Sequence, residues 1–256
     1  MKDVTILIPV RIDSYFRLEN LCSVVKYLTT NYLTNIYVVE SAEYNNNILK
    51  TILPKQIKYM FKKDNDPVFF RTQIINNVVG EIHTKYVSIW DADVLFPVRQ
   101  IIRAIELLRS DKCDFVYPYD GSFMDTTQIV RQIYLEYGDV NILEELSNMM
   151  SAPYGIGMKG GAFIANTQKY KEAGMENLKF YGWGPEDWER YERWKNLNYR
   201  IEIVTGKLFH LSHPRDMNGT HNSYQQKIYS FYEKDITSFS SKKEIVKRMN
   251  LQNYSI

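Results

Sequence analysis

Cysteine is nearly missing from this chain, with Cys22 and Cys113 the 2 thiols among 256 residues. One falls on a predicted helix and the other in a predicted turn, which argues against a disulfide framework or a thiolate metal site and points to a reducing compartment. An excess of either charge is also lacking. Lys and Arg number 32 against 30 Asp and Glu, a formal +2, so no global field gathers nucleic acid, which is not an expected partner. Long apolar runs are absent as well. The N-terminal run, Val4 to Ile8, is far shorter than a secretory leader's core and no other stretch approaches bilayer length; the expectation is a soluble, cytoplasmic protein. There is no G-x-G-x-x-G dinucleotide fingerprint and no His-Glu-x-x-His zinc-hydrolase pattern.

What is present is a globular composition, 45% hydrophobic and 24% charged, in a chain long enough for one large domain with a sizeable core. Aromatic residues make up 14%, including 20 Tyr and 4 Trp; most must be core, but flat faces with a polar handle also suit stacking on sugars or bases. Val4 to Ile8, stopped by Pro9, reads as a strand buried on both faces. Leu18, Leu21, Val25 and Leu28 follow at helical spacing after the cap-like Asp13-Ser14. Further strands are predicted at Ile36 to Val39, Ile57 to Phe61, Tyr86 to Trp90 and Phe115 to Tyr119, with helices over 74–82 and 101–108 between them. Alternating β and α elements predict an α/β fold with a mostly parallel central sheet flanked by helices. A polar, mostly helical insertion is predicted from about Thr126 to Met150, then a glycine-rich segment, a strand at Ala162 to Ala165, a helix from Glu186 to Leu197, a strand at Arg200 to Val204 and helical C-terminal segments. With no internal repeat or linker, a single domain is expected.

Four constellations carry candidate chemistry. Asp91-Ala92-Asp93 follows a predicted strand, where ligands gather in open α/β sheets, and two carboxylates one residue apart suit a divalent cation; an acidic turn before a helix is the other reading. Trp183-Gly184-Pro185-Glu186-Asp187 sets two acids beside aromatic faces, fit to bind a sugar hydroxyl and remove its proton, and equally fit to open a helix. His210 and His213 are three apart, but Pro214 excludes a helix, so only a turn leaving a strand could bring both to one metal. At the first strand's end, Pro9, Val10, Arg11 and Asp13, followed by Arg17, stand where a base and diphosphate would lie.

In this order the pieces resemble the β-1,4-galactosyltransferase family, among the GT-A nucleotide-sugar transferases. The resemblance spans most of the chain: Ile8-Pro9-Val10-Arg11; the stretch Phe69-Phe70-Arg71 to Gly80; Asp91-Ala92-Asp93; Gly160-Gly161; Trp183-Gly184-Pro185-Glu186-Asp187; and His210 to Asp216. It implies a GT-A-like single domain over 1–256, with a nucleotide-binding half at 1–119, a helical insertion at 120–150, a donor, acceptor and metal half at 151–221 and a helical segment at 222–256. It also implies Asp93 and His213 as metal ligands with His210 as the third, and Asp91 as a contact to the donor's ribose or sugar. Pro9, Val10, Arg11 and Asp13 would hold the nucleotide and Arg71 the donor; Gly161, Trp183 and Glu186 would line donor and acceptor, with Asp187 as the catalytic base. Three departures matter. His210 stands where the family has methionine, Pro185 replaces a glycine and should stiffen the tryptophan loop, and Met158 stands where galactose-specific members have a tyrosine.

The implied activity is inverting transfer of galactose or N-acetylgalactosamine from a UDP-sugar to a glycan or lipid-linked glycan hydroxyl, with Mn²⁺ or another divalent cation, in bacterial surface-polysaccharide synthesis. Two other readings stay open at this point: a nucleotidyltransferase on a similar sheet, and a non-catalytic carbohydrate-binding relative. The basic C-terminal residues Lys242, Lys243, Lys247 and Arg248 suggest either a solvated helix face or a peripheral contact with the inner face of the membrane.

Overall fold

The structure is a computed structural model that describes residues 1–155, 157–214 and 217–253. The chain opens with strand β1 (Val4–Val10), whose 7 residues are all buried, in keeping with a run that is apolar except for Thr5. Ser14 then caps helix α1 (Tyr15–Asn31) by accepting from the Arg17 amide. Strand β2 (Asn35–Ala42), short helix α2 (Ile48–Ile52), strand β3 (Lys58–Lys63), helix α3 (Arg71–Val79) and strand β4 (Tyr86–Trp90) complete the first half of the alternation. Strand β5 (Val94–Leu95) and helix α4 (Val98–Arg109) follow, then β6 (Phe115–Tyr117) and β7 (Ser122–Asp125). Helices α5 (Gln128–Tyr137) and α6 (Val140–Glu145) precede strand β8 (Ala162–Asn166), helix α7 (Thr167–Glu172) and helix α8 (Glu186–Asn196). Strands β9 (Ile201–Ile203) and β10 (Lys207–His210) and helices α9 (Tyr224–Phe239) and α10 (Lys242–Asn253) close the described chain.

Seven strands form the central sheet in the order β3-β2-β1-β4-β8-β6-β9. Its order reverses between β1 and β4, so the carboxyl ends of these two strands flank the crevice where open α/β sheets bind ligands. Pairing is parallel except that β8 runs antiparallel to both β4 and β6, which makes the sheet mostly parallel as expected. A second, three-stranded sheet has the order β5-β10-β7. Three sequence expectations are corrected here. The strand expected to reach Tyr119 ends at Tyr117, since Pro118 has no N–H to continue a ladder. The strand expected over Arg200 to Val204 is confined to Ile201–Ile203. Of the 120–150 span that the resemblance implies as a helical insertion, Ser122–Asp125 is instead β7, a strand of the second sheet, while the part from Thr126 on is mostly helical as expected.

The aromatic surplus is mostly core. Trp194 of α8 stacks on Phe115 of β6 with ring centroids 3.9 Å apart, and Trp90 meets Phe96 edge-on at 5.0 Å. Among the described residues no helix is long and apolar enough to cross a membrane. Within the C-terminal basic group, Arg248 is ion-paired to the buried Glu233, which removes it from any outward-facing patch; Lys242, Lys243 and Lys247 are exposed.

Candidate active site

The small sheet explains how distant segments meet. Strand β10 pairs antiparallel with β5, which sets His210 opposite Val94, next to Asp93. On its other side β10 runs parallel to β7, with His210 in register with Asp125. The chain leaving β10 is fastened at once: the Leu211 amide donates to the Asp93 carbonyl at 2.7 Å, and Asn20 of α1 donates to the Leu211 carbonyl at 2.7 Å. His213 is thereby returned to the same carboxylate. Asp93 Oδ2 lies 3.1 Å from His213 Nε2 and 3.7 Å from His210 Nε2, and one donor atom from each of the three residues lies within 4.8 Å of the others. Arg215 and Asp216, which complete the sequence motif, lie outside the described residues.

This donor set fits a divalent cation. Two imidazole nitrogens and one carboxylate oxygen suit Mn²⁺ and neighbouring first-row ions. The electrostatics agree. Burial pushes the Asp93 carboxyl up, but the two histidines outweigh it and hold the group well below the usual carboxylate range. Burial pulls the His210 imidazole down, yet Asp93 and Asp125 raise it to about 9. Without a cation, an imidazolium supplies the positive charge that this pair of acids demands; binding a metal through His210 would release that proton.

A cavity of about 630 Å³ opens beside this cluster, and every site residue expected from the sequence lines it: Pro9, Val10, Arg11, Asp13, Arg71, Asp91, Asp93, Gly161, Trp183, Glu186, Asp187, His210 and His213. Arg71, the first residue of α3, donates from Nη2 to Asp91 Oδ1 at 2.5 Å. Its Nη1 is buried with no partner. Glu186 Oε2 is likewise buried and unpartnered. An unsatisfied charged donor and a carboxyl oxygen in one cavity wall are costly unless a polar ligand meets them. Burial, followed by the neighbouring Asp187, raises the Glu186 carboxyl to about 8, so near neutrality it is predominantly protonated and can donate. Burial likewise raises Asp91, with Arg71 opposing.

Asp187 stands at the first turn of α8, where Pro185 ends the loop and three acids, Glu186, Asp187 and Glu189, meet the positive end of the helix. Its Oδ1 accepts from Arg190 Nη2 at 2.5 Å. Arg190 is almost fully buried and is anchored in turn by Glu176 at 2.8 Å. The Gly160-Gly161 pair makes this approach possible. A Cβ on Gly160 would come 2.8 Å from Asp187 Oδ2, and Gly161, at φ +87°, would press one against Leu208 at 2.3 Å.

One expected role is narrowed by the geometry. The Arg11 guanidinium donates from Nε to the Ser41 carbonyl, from Nη1 to the Asp66 and Pro67 carbonyls, and from Nη2 to Ser41 Oγ and Asp64 Oδ2. An arginine has five N–H donors, and these contacts occupy all of them, so a phosphate contact from this side chain is not available. Arg11 instead ties the end of β1 to the loop after β3 and walls the cavity with its face. Arg17 is the cation beside the triad, with Nη1 3.8 Å from Asp93 Oδ2 and Nε 2.9 Å from Asp13. Sequence reasoning also missed Asp125, whose Oδ1 is 2.7 Å from His210 Nδ1; only the strand register signals it. On the other wall, Gln226 of α9 donates to the Tyr181 and Trp183 carbonyls at 3.1 and 2.9 Å, fixing the tryptophan loop to a later helix.

This α/β fold, a mostly parallel sheet flanked by helices, is shared with solved GT-A glycosyltransferases. It is similar to glucosyl-3-phosphoglycerate synthase from Mycobacterium tuberculosis, solved with Mn²⁺, UDP-glucose and phosphoglyceric acid, with a TM-score of 0.55 and 11% identity over 91% of this chain and 79% of that one. A mannosyltransferase from Pyrobaculum calidifontis, solved with GDP-mannose and Mn²⁺, matches with a TM-score of 0.55 and 14% identity over 98% of this chain and 69% of that one. A family model described as the N-terminal domain of galactosyltransferase matches residues 152–215, the span from the glycine-rich segment through both histidines. No curated protein matches by sequence.

Proposed function

We propose that this chain is a divalent-cation-dependent glycosyltransferase that moves a hexose from a UDP-sugar to a glycan hydroxyl with inversion at the anomeric carbon. Galactose or N-acetylgalactosamine is the proposed sugar, since the family-model match falls on the segment carrying Gly161, Asp187 and the histidines. The observation that carries the reading is the convergence on one cavity of a cation-binding triad and an anchored carboxylate, Asp187.

Asp93 Oδ2, His210 Nε2 and His213 Nε2 would hold the cation. When bound, it would offset the charge that grows on the diphosphate leaving group, an effect worth several kcal/mol in general. The remaining chemistry belongs to side chains. Asp187 has Oδ1 committed to Arg190, which leaves Oδ2 to take the proton of the acceptor hydroxyl as it attacks. Arg190, held by Glu176 in the core, fixes the direction of that oxygen. Protonated Glu186 would donate to a sugar oxygen, and the Asp91–Arg71 pair would bind sugar or ribose hydroxyls, with Arg71 Nη1 supplying a second donor. Trp183, 37% exposed at the cavity mouth, offers a face for sugar stacking.

The test is a panel of UDP-sugars, including UDP-galactose, UDP-N-acetylgalactosamine and UDP-glucose, with and without Mn²⁺, read as release of free UDP. Release that requires the metal and is fastest with one of the first two donors is the expected result. Release of pyrophosphate from a nucleoside triphosphate, or no turnover with any sugar donor and acceptor mixture, would overturn the reading.

A further inference from the structure

Asp125 ends β7 and sits in register with His210 of β10. Parallel register partners on adjacent strands project to the same face of the sheet, and here the result is a 2.7 Å contact between Asp125 Oδ1 and His210 Nδ1. Phe123, two residues earlier and therefore on the same face, packs its ring 5.2 Å from the His210 ring at a tilt of 31°. Between them the imidazole is held at its edge and against its face.

His213 offers a useful comparison. Its Nδ1 lies 2.8 Å from the Pro214 carbonyl oxygen, an acceptor only, so this nitrogen carries the hydrogen and Nε2 is the lone-pair end of the neutral ring. The backbone therefore sets the tautomer of His213. Among the described residues a side-chain carboxylate, not a carbonyl, takes that part for His210. Asp125 does not line the cavity, and its main chain is paired independently, its amide donating to the Ser151 carbonyl at 2.8 Å and its carbonyl accepting from the Ser151 amide at 3.1 Å.

We propose that Asp125 is a positioning residue for the cation centre. It keeps the hydrogen of His210 on Nδ1 and sets the angle of the ring, so that the Nε2 lone pair faces the cation that Asp93 and His213 share. The inference rests on the proposed reading of Asp93, His210 and His213 as cation ligands. Carboxylates that hold a ligating histidine in this way raise metal affinity by roughly 10-fold to 100-fold.

The experiment measures Mn²⁺ binding by calorimetry to the full chain, without nucleotide, for the wild type and for Asp125→Ala, Asp125→Asn and Asp93→Ala. Asp125→Ala should weaken Mn²⁺ binding roughly 10-fold to 100-fold. Asp125→Asn, whose side-chain oxygen still accepts from Nδ1, should recover most of that loss, a rescue that a merely structural role would not give. A measurement that needs no variant uses ¹⁵N-histidine-labelled protein loaded with Zn²⁺: His210 should show Nδ1 protonated and Nε2 bound to metal. Wild-type affinity in Asp125→Ala, or metal on His210 Nδ1, overturns the positioning role while the loss of binding in Asp93→Ala still supports the centre. Failure of the wild type to bind Mn²⁺, or full binding by Asp93→Ala, removes the centre and the positioning role together.

Discussion

Adding one methyl group at Gly160 tests whether the placement of Asp187 limits the rate. Gly160 is not among the glycines with positive φ, so alanine is compatible with its backbone and the strain falls on whatever the new Cβ meets. That is Asp187 Oδ2, at 2.8 Å, with Cγ at 3.6 Å. Relief to the 3.4 Å of ordinary contact requires Oδ2 to move by about 0.6 Å. The side chain cannot simply swing away, because Oδ1 is bonded to Arg190 and Arg190 to Glu176, both buried. Misplacement of a reacting group by about 1 Å can cost about 100-fold, so Gly160→Ala should lower kcat by roughly 10-fold to 100-fold. Binding of UDP with Mn²⁺, which the proposed reading assigns to Asp93, His210, His213 and the end of β1 rather than to Asp187, should stay within about threefold of wild type, a free-energy change below about 0.7 kcal/mol. The assay is initial-rate UDP release at saturating donor, beside calorimetry of UDP and a thermal melt. A variant with wild-type kcat would show that the contact at Asp187 has no bearing on catalysis; a parallel collapse of UDP affinity would show that the substitution disturbs more than the base.

Asp187→Asn should retain UDP affinity and lose transfer by about 100-fold or more, as expected for removal of a general base; near wild-type turnover would remove that assignment. Glu186 gives a pH test. Its folded-state value is raised to about 8 from 4.5, so the stability it contributes is fully present below about 4.5 and is lost as pH rises through 8. Between pH 7 and 9 the ligand-free protein should lose on the order of 1 kcal/mol through this group, and Glu186→Gln should flatten that part of the melting-temperature profile. An identical slope in the variant would assign the loss to other groups. In the core, Trp194→Ala removes the ring stacked on Phe115 and should cost about 3–5 kcal/mol, read by denaturant unfolding; a loss below about 1 kcal/mol would mean the site collapses around the cavity.

Much of the central sheet was legible because β1 and β4 are buried on both faces and are apolar but for the small hydroxyl residues Thr5 and Ser88. The antiparallel insertion of β8 was not legible: Ala162–Asn166 has the same apolar pattern whichever way it runs, and direction is set by the path of the preceding chain. The second sheet was invisible. Its strands β5, β7 and β10 hold 2, 4 and 4 residues, too few for a period to emerge. For the site, residue types and spacing raised Asp91-Ala92-Asp93, Glu186-Asp187 and the His210/His213 pair as candidates, and only the family resemblance gave Asp93, His210, His213 and Asp187 separate roles. What they did not convey was how side chains share partners: Arg11 reads as a phosphate ligand from its place after β1, but its donors are spent on Ser41 of β2 and on the loop that runs from Asp64 to Pro67. The link between Asp125 and His210 needs an alignment of strands 85 residues apart, which no local pattern contains.

The two bonds from Gln226 have a consequence for how substrates enter. They join the Trp183 loop to α9, and Pro185 stiffens its exit into α8, so the loop has few ways to lift by itself. Any opening would break both bonds or carry α9 along, and α9 brings Phe231 and Lys234, which also border the cavity. The tryptophan wall of the cavity is therefore tied to the C-terminal quarter of the chain: on the proposed reading, a change in α9, far in sequence from either acid at the top of α8, would be felt as a change in the rate at which donor enters and nucleotide leaves.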